Sequence, residues 1–206
     1  MIASVARRTS APKFLLNVPM PGVRRFTVEE YHQFGDAGIL TEEDRVELID
    51  GWVVEKPVHK PPHRKSCARI QRVFPRIVPA EHELVFQLPI TLSTSEPEPD
   101  ATVLRGPSNR YDLDPPGSKD VLMIVEVSDS SLDFDRGPKL LLYAAAKIPI
   151  YWIVNIPDDR IEVYTLPKAG KTPGYRSRVL YSRGTRVPLV LRGKLISEID
   201  ADDILP

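Results

Sequence analysis

The sequence predicts an α/β domain whose central mixed β-sheet is flanked by helices, with a β-hairpin and a helix as an N-terminal extension. Residues 121–127 form a near-continuous aliphatic run, which is typical of a strand covered on both faces. A helical pattern over residues 138–147 and a second apolar strand at residues 151–156 follow it. A strand, a helix and a strand in this order favour a parallel pair with a right-handed crossover. Hairpin signals elsewhere add antiparallel pairs, so the sheet is expected to be mixed.

Local signals predict the first elements of the chain. Thr27 and Glu30 have the spacing of a capping box, so a short helix is expected to follow. The dipeptide Asp50-Gly51 stands between two apolar stretches and predicts a two-stranded hairpin. A proline-rich link then leads to a helix predicted for residues 63–78, which Pro75 is expected to kink or end.

Further strands are predicted from β-branched and aromatic runs bounded by turn residues. A loop over residues 106–119 separates the earlier runs from the aliphatic one, and an acidic segment closes the chain. The sequence contains no internal repeat. These predicted strands cover residues 84–92, 101–104, 161–166, 175–181 and 187–191.

Length and composition fit one domain with an N-terminal tail. The chain has 206 residues, of which 42% are hydrophobic, and this is enough for a core. Residues 1–22 contain no acid and are predicted to form a basic, mobile arm, although a transit peptide has the same composition. Residues 23–206 are assigned to a single domain.

Charge, cysteine count and hydropathy limit the classes of function. Lys plus Arg and Asp plus Glu both number 28, so no global basic field indicates a polyanionic partner, and any nucleic-acid site must be local. The single cysteine, Cys67, excludes an intrachain disulfide and favours a reducing, cytoplasmic location. No apolar run approaches the roughly 20 residues of a membrane span, so no membrane partner is expected.

Two carboxylates stand at positions where they are candidates for a metal site. Glu126 lies inside the aliphatic run, where a charge is costly unless a partner compensates for its lost hydration. Asp100 immediately precedes a predicted strand and is expected to supply the second carboxylate. Two carboxylates, a backbone carbonyl and waters suit Mg²⁺. The alternative is structural, with Glu126 paired to an arginine at the end of its strand.

Lys139 adds a cation to these acids. It lies in the first turn of the helix predicted for residues 138–147. Helical side chains lean toward the helix N-terminus, which here means toward the carboxyl end of the preceding strand. Two acids, a divalent metal and a lysine are groups that phosphodiester hydrolysis uses.

Basic residues form a stripe on the helix predicted for residues 63–78. At about 100° per residue, Lys65, Arg69, Arg72 and Arg76 fall within a narrow sector that could follow a phosphate backbone, with Arg76 displaced if Pro75 kinks or ends the helix. The alternative is an ordinary solvated helix face. His63 opens this helix and is a candidate phosphate contact, or else it makes only a local hydrogen bond.

Several motifs, taken in order, resemble one known family. They are VELIDG, a histidine opening the next helix, PEPDATVL and EVSDSSLDFDRGPKLLLYAAAKIPIYWIVN. This set resembles the PD-(D/E)XK superfamily of restriction-endonuclease-like proteins, and more closely its Uma-type branch, over about residues 26–166. Ile150 and Asn155 depart from the family pattern, which usually has Glu and Asp there. The resemblance implies a restriction-endonuclease-like fold.

The resemblance also implies a role for each matching acid. Asp100 and Glu126 would hold the metal, with the backbone carbonyl of Val127 as a third ligand. Glu47, in VELIDG, would be a supporting acid near the site. The implied metal is Mg²⁺, for which Mn²⁺ can substitute.

The lysine of the superfamily signature has a different position in this chain. Ser128 stands at the signature's lysine, and Lys139 matches the position to which the lysine has moved in this family. The resemblance therefore implies a metal-dependent endonuclease that hydrolyses DNA and forms a homodimer. A separate sheet-edge hairpin and the apolar segment 84–90 are expected to offer surface for this self-association. Two rival predictions are a nucleic-acid-binding module without turnover and an interaction module whose acids merely pair with arginines.

Overall fold

The computed structural model describes residue 22, residues 24–106, residue 111 and residues 115–206. The predicted basic arm, residues 1–22, lies outside the described residues except for Gly22. Residues 107–110 and 112–114 of the predicted loop lie outside them as well.

A six-stranded mixed sheet forms the centre of the domain and confirms the predicted fold class. The described strands are β1 (Val46–Ile49), β2 (Trp52–Glu55), β3 (His82–Val85), β4 (Ala101–Arg105), β5 (Val121–Ser128), β6 (Ile150–Asn155), β7 (Arg160–Lys168), β8 (Gly174–Ser182), β9 (Arg186–Leu191) and β10 (Lys194–Asp200). The central sheet has the order β3-β4-β5-β6-β7-β8. Strands β5 and β6 are parallel, as predicted, and the other neighbouring pairs are antiparallel.

Helices and two separate hairpins complete the fold. The hairpins are β1–β2 and β9–β10. The hairpin predicted at Asp50-Gly51 is confirmed, and both residues have the positive φ angles, 48° and 78°, that a tight type I′ turn requires. The helices are α1 (Val28–Asp36), α2 (Pro61–Val73), α3 (Leu132–Phe134) and α4 (Leu140–Ala145), with a π-helical segment at Asp135–Lys139 between the last two.

The predicted capping box at the start of α1 is present. The Thr27 side chain accepts a hydrogen bond from the Glu30 amide, and the Glu30 carboxylate accepts one from the Thr27 amide. Helix α2 starts at Pro61, two residues earlier than predicted, because proline fits the first helical position. It ends before Pro75, and a short 3₁₀ turn, Phe74–Arg76, continues the chain.

Each face of the central sheet is covered by its own apolar layer. Alternation along β5 sends Val125 and Val127 to the layer that contains Ile70 of α2 and residues of the β9–β10 hairpin. Ile124 contributes to the other layer, together with Tyr143 of α4. The predicted double coverage of this strand is confirmed, since all eight of its residues are buried.

The strand predicted over residues 84–92 is wrong beyond its first residues. Strand β3 ends at Val85, and the chain then runs irregularly to the start of β4. Gln87 adopts a left-handed φ of 50°, and Pro89 lacks an amide hydrogen for a sheet ladder. Strand β10 was not predicted, because its pattern is largely exposed and carries little periodic signal.

The helix predicted for residues 138–147 begins earlier than expected. α3, the π-helical segment and α4 follow one another without a break, so Pro138 lies inside a helical stretch and not at its start. Proline cannot donate the usual backbone hydrogen bond, and the Leu140 amide bonds to the Asp135 carbonyl five residues back. The prediction that Lys139 lies in a first helical turn is therefore wrong.

Among the described residues, no helix is both long enough and apolar enough to cross a membrane.

Candidate active site

An open cleft of about 1260 Å³ lies where β4 begins and β5 ends. The β1–β2 hairpin, α1, the start of α2 and the π-helical segment also contribute to its walls. Six residues predicted from the sequence line this cleft together: Glu47, His63, Asp100, Glu126, Val127 and Lys139.

Lys139 is held between two carboxylates from different elements. Its Nζ lies 3.0 Å from Oε1 of Glu126 on β5 and 3.1 Å from Oε1 of Glu47 on β1. The side chain is buried, and burial alone would lower its pKa. The charges of Glu126 and then Glu47 more than offset that effect and raise the pKa of Lys139 above its ordinary value. Lys139 is therefore a permanently protonated group.

Glu126 has more negative charge around it than its partners balance. Its Oε1 accepts hydrogen bonds from Lys139 and, at 2.7 Å, from the hydroxyl of Tyr143. Burial raises the pKa of Glu126 to about 8, against the lowering effect of Lys139. The charges of Asp135, Asp100 and Glu47 raise it further. The contact with Tyr143 was not predicted, because it depends on where the helical stretch lies over the sheet.

Asp100 is fixed at the start of β4 by donors on both sides. Its Oδ2 accepts a 2.8 Å hydrogen bond from the Val127 amide and lies 3.3 Å from Nε2 of His63. Burial would raise the pKa of Asp100, but His63 and the Val127 amide lower it below its ordinary value. The N–H and C=O of a strand residue point to the same side, so the Val127 carbonyl faces the Asp100 side of β5.

Asp135 is a buried acid whose charge the sequence did not assign to the site. The hydroxyls of Ser128 and Ser131 each donate a 2.6 Å hydrogen bond to its Oδ2. Burial nevertheless raises the pKa of Asp135 above its ordinary value. Ser128, which stands where the superfamily signature has its lysine, therefore orients the carboxylate of Asp135.

The charge balance of this region leaves room for a further cation. Four buried or nearly buried carboxylates influence one another here, and one ammonium, that of Lys139, lies among them: Glu47, Asp100, Glu126 and Asp135. Buried acids in excess of their cations either keep a proton, as the raised pKa values of Glu126 and Asp135 reflect, or bind a further cation. Because hard oxygen donors predominate, the residues fit a divalent ion such as Mg²⁺.

A second histidine, which the sequence analysis missed, faces Asp100 from the link before α2. His59 stacks on His63 with ring centroids 4.0 Å apart and an angle of 17° between the planes. Burial, and then the neighbouring His63, lower the pKa of His59. The signal was present in the sequence as HKPPH, in which two prolines hold the histidines at a fixed separation.

The predicted basic stripe is not brought into the cleft. Lys65 and Arg72 are exposed on α2 but do not line the cleft, whereas the exposed Arg64 does. Arg69 donates hydrogen bonds to the backbone carbonyls of Asp202, at 2.8 Å, and Leu205. In this structure Arg69 therefore ties α2 to the C-terminal segment.

The fold and the cleft together define the restriction-endonuclease-like class. The model of the Uma2 family, described as "Putative restriction endonuclease", matches residues 28–195, and the chain belongs to this family. The fold is similar to that of a crystal structure described as "a putative nuclease belonging to DUF820" from Anabaena variabilis ATCC 29413. The two sequences are 15% identical, the TM-score is 0.64, and the match covers 87% of this chain and 97% of the other. At that identity the likeness concerns the fold alone. A search of curated proteins gave no match.

Proposed function

We propose that this protein is a metal-dependent endonuclease that hydrolyses DNA phosphodiester bonds in the cleft. The observation that carries the proposal is the convergence of Asp100, Glu126 and Lys139 on one cavity from three separate elements. Membership of a family described as "Putative restriction endonuclease" supports the same reaction class. The excess negative charge of the cleft is consistent with a divalent cation as cofactor.

The proposed ligands of Mg²⁺, or of Mn²⁺ in its place, are Asp100, Glu126 and the carbonyl of Val127. A divalent ion held there would polarise the scissile phosphate and lower the pKa of the attacking water. The Val127 amide, which donates to Asp100, keeps that carboxylate at the mouth of the strand. The Tyr143 hydroxyl likewise fixes Glu126, by donating a hydrogen bond to its Oε1.

Lys139 has the role of a donor in this proposal. Because its ammonium stays protonated, Lys139 can orient a water or stabilise developing negative charge, but it cannot accept a proton from water. Glu47 contributes by position, since its carboxylate contacts the same Lys139 ammonium as Glu126 does.

DNA would enter the cleft past the start of helix α2. Arg64 is exposed at this rim, and His63 lies deeper beside Asp100. Lys65 and Arg72 would contact phosphates only where a duplex extends beyond the cleft and along the outer face of α2. Arg69 would contribute indirectly, through its hold on the C-terminal segment.

A second candidate function is a nucleic-acid-binding module that has the fold but no turnover. It is favoured by the hydrogen bonds that Lys139 and Tyr143 make to Oε1 of Glu126, which engage a proposed metal-binding atom. Under this alternative Lys139 takes the place of the metal ion and neutralises the acids permanently.

Cleavage assays distinguish the two candidates. Plasmid and single-stranded DNA are incubated with the full chain and Mg²⁺ or Mn²⁺, with Asp100→Asn as the test variant and Asp203→Asn, at an exposed position, as its control. Metal-dependent cleavage by the wild type and the control, lost in Asp100→Asn, is expected. DNA binding without cleavage under every condition would refute the nuclease and favour the binding module.

Homodimer formation is part of the proposal. The segment that the sequence suggested for it, residues 84–90, offers little free surface, because Ile90 is fully buried and Leu84 and Phe86 are partly buried against the core. Strand β8, at an edge of the central sheet, is a better candidate, since it carries two exposed apolar side chains, Val179 on one face and Leu180 on the other. Sedimentation at high concentration that gives only the 23.2 kDa monomer would exclude the dimer.

A further inference from the structure

His59 and His63 are held side by side by the chain between them. Pro61 and Pro62 are the first two residues of α2, and each proline fixes its φ angle. His63 is buried, whereas His59 is partly exposed toward the cleft. Both histidines line the cleft, and because ring nitrogens bind a metal in the plane of the ring, the partly exposed His59 would have to tilt off its stack on His63 for both to reach one ion.

Asp100 completes a set of three potential metal ligands with these histidines. One ligand atom from each of His59, His63 and Asp100 lies within 4.8 Å of the other two. The separation between His63 Nε2 and Asp100 Oδ2 is 3.3 Å. Two ligands bound at about 2.1 Å to a tetrahedral ion are about 3.4 Å apart, so this pair already has the spacing of coordinating atoms.

The groups behind these ligands orient them as outer-shell contacts do in metal sites. The Val127 amide bonds to Asp100, and Nδ1 of His63 lies 3.4 Å from the sulfur of Cys67, which leaves Nε2 directed at Asp100. An ion pair between His63 and Asp100 would account for two of the three residues. Stacking on His63 accounts for the ring of His59, and the metal proposal rests on the ligand atoms of all three residues lying within 4.8 Å of one another.

We propose that His59, His63 and Asp100 bind a divalent first-row transition metal ion of the Co²⁺ to Zn²⁺ part of the series. Two imidazoles and one carboxylate favour such ions over Mg²⁺, which prefers an all-oxygen shell. This site lies beside the proposed Mg²⁺ ligands and shares Asp100 with them. Binding of the ion stands independently of catalysis. The consequence that such an ion changes which metal supports cleavage rests on the proposed function.

Titration with Co²⁺ tests the site without any activity assay. The tag-free full chain is titrated with CoCl₂ and followed by visible absorption and by calorimetry, and MgCl₂ is titrated in parallel. We expect one Co²⁺ per chain at this site. His59→Gln and His63→Gln should each weaken Co²⁺ binding at least about tenfold, in line with the loss seen when metal-site residues are removed. Mg²⁺ affinity should change little in His59→Gln.

A matched control removes a histidine elsewhere in the chain. His82, on β3, does not line the cleft, and His82→Gln should bind Co²⁺ like the wild type. Melting curves of all variants without metal show whether each is folded. Equal Co²⁺ affinity in folded His59→Gln and wild type would overturn the proposal and leave an ion pair between His63 and Asp100 as the role of this cluster.

Glu126→Gln separates this inference from the proposed nuclease. Glu126 is not in the three-residue cluster, so this variant should keep its Co²⁺ site while it loses Mg²⁺ affinity. A protein that binds Co²⁺ through His59 but cleaves no DNA with any metal would refute the nuclease alone. A protein that cleaves DNA but binds Co²⁺ equally well without His59 would refute the transition-metal site alone.

Discussion

Two buried glutamates lie in one row of the central sheet and have opposite surroundings. Glu126 on β5 and Glu162 on β7 are both direct neighbours of Ile153 on β6, so the two side chains point to the same face. Their backbones are two inter-strand spacings apart, about 10 Å. Both carboxylates are buried, and yet their charges are balanced differently.

Glu162 is fully surrounded by donors. Arg136 donates to it through two nitrogens, one of them at 3.0 Å, and Arg178 donates at 2.9 Å. Asn155 and Tyr164 each add a hydrogen bond of 2.6 Å. Burial would raise the pKa of Glu162, but Arg136 and the other donors lower it below its ordinary value. This site is the structural ion pair that the sequence analysis offered as the alternative for Glu126.

Glu126 shares its single ammonium with Glu47, and burial, followed by the charges of the surrounding acids, raises its pKa. The same π-helical segment supplies the cations of both sites, Arg136 for Glu162 and Lys139 for Glu126. Burial of an acid is thus a poor indicator of function in this chain. The unbalanced charge around Glu126 is the better one.

Replacing the cation beside each glutamate should have the largest effect of the changes predicted here, and it tests whether the two sites differ in function. Lys139→Ala is expected to lower the DNA cleavage rate by about 10²–10³, because a positioned cation near developing charge is lost. Arg136→Ala, from the same segment, should lower stability and leave the rate of the folded enzyme unchanged. Single-turnover cleavage with Mn²⁺ measures both, and equal losses of rate would abolish the distinction between the two sites.

Ser128→Ala should have far less effect than Lys139→Ala, because the Ser128 hydroxyl acts only through Asp135.

Removing Glu162 itself tests its structural role. Glu162→Ala should lower the free energy of unfolding by about 3 kcal/mol, because it removes the buried acceptor of Arg178, Asn155 and Tyr164 and one of the two carboxylate partners of Arg136. Glu198→Ala removes a half-exposed glutamate and should change it by less than about 0.5 kcal/mol. Urea denaturation measures both values. A loss in Glu162→Ala no larger than that in Glu198→Ala would show that the Glu162 cluster is not a stabilising element.

The pH dependence of stability should have opposite signs at the two glutamates. The raised pKa of Glu126 means that its contribution is complete below the ordinary value of 4.5 and is lost as the pH rises toward about 8. In chelator, Glu126→Gln should therefore gain about 1 kcal/mol over the wild type at pH 8, and the gain should disappear near pH 5.

Glu162 has a lowered pKa, so its contribution is present above the ordinary value of 4.5 and is lost as the pH falls through its lower folded pKa. The deficit of Glu162→Gln should accordingly shrink on acidification. Denaturation curves at several pH values compare both variants with the wild type. A Glu126→Gln variant that is less stable than wild type at pH 8 would indicate that Lys139 fully neutralises Glu126.

Addition of metal should also distinguish the two glutamates. At a Mg²⁺ concentration ten times the dissociation constant, the wild type should gain about 1.4 kcal/mol of stability. Glu162→Gln should show the same gain and Glu126→Gln none, because Glu126 alone of the two is a proposed ligand. Thermal melts with and without Mg²⁺ provide the measurement, and equal shifts in both variants would place the ion elsewhere.

Local signals predicted those parts of the fold that local interactions determine. The capping box at Thr27, the turn at Asp50-Gly51 and the aliphatic run of β5 each carry their cause within a few residues. The break after Val85 and the early start of the helical stretch depend on backbone conformations that the surrounding structure imposes. The residue types along the chain do not directly indicate these backbone conformations.

Some residues of the candidate site could likewise be predicted from local motifs, whereas others could not. Glu47, Asp100, Glu126 and Lys139 carry recognisable motifs, and the structure brings them to one cleft. The Tyr143 contact to Glu126 and the stacking of His59 depend on how distant segments meet, which no spacing along the chain encodes. Arg69 shows the opposite error, since a basic stripe on a helix does not reveal that one member bonds to carbonyls more than 130 residues away.

The π-helical segment has a consequence for insertions and deletions in this chain. Such a turn holds one residue more than an α-helical turn, and each residue of an α-helix advances the side-chain direction by about 100°. Deletion of Gly137 would let the stretch wind as a regular helix, while Tyr143 and Ala144 stay anchored in the core. A π-turn absorbs its extra residue within one turn, so residues outside the turn would keep their phase, whereas Arg136 and Lys139, inside it, would come to lie two residues and about 200° apart. Arg136 and Lys139 could no longer both face their glutamates, so alignments in which a relative lacks this residue would identify chains that have changed one of the two sites.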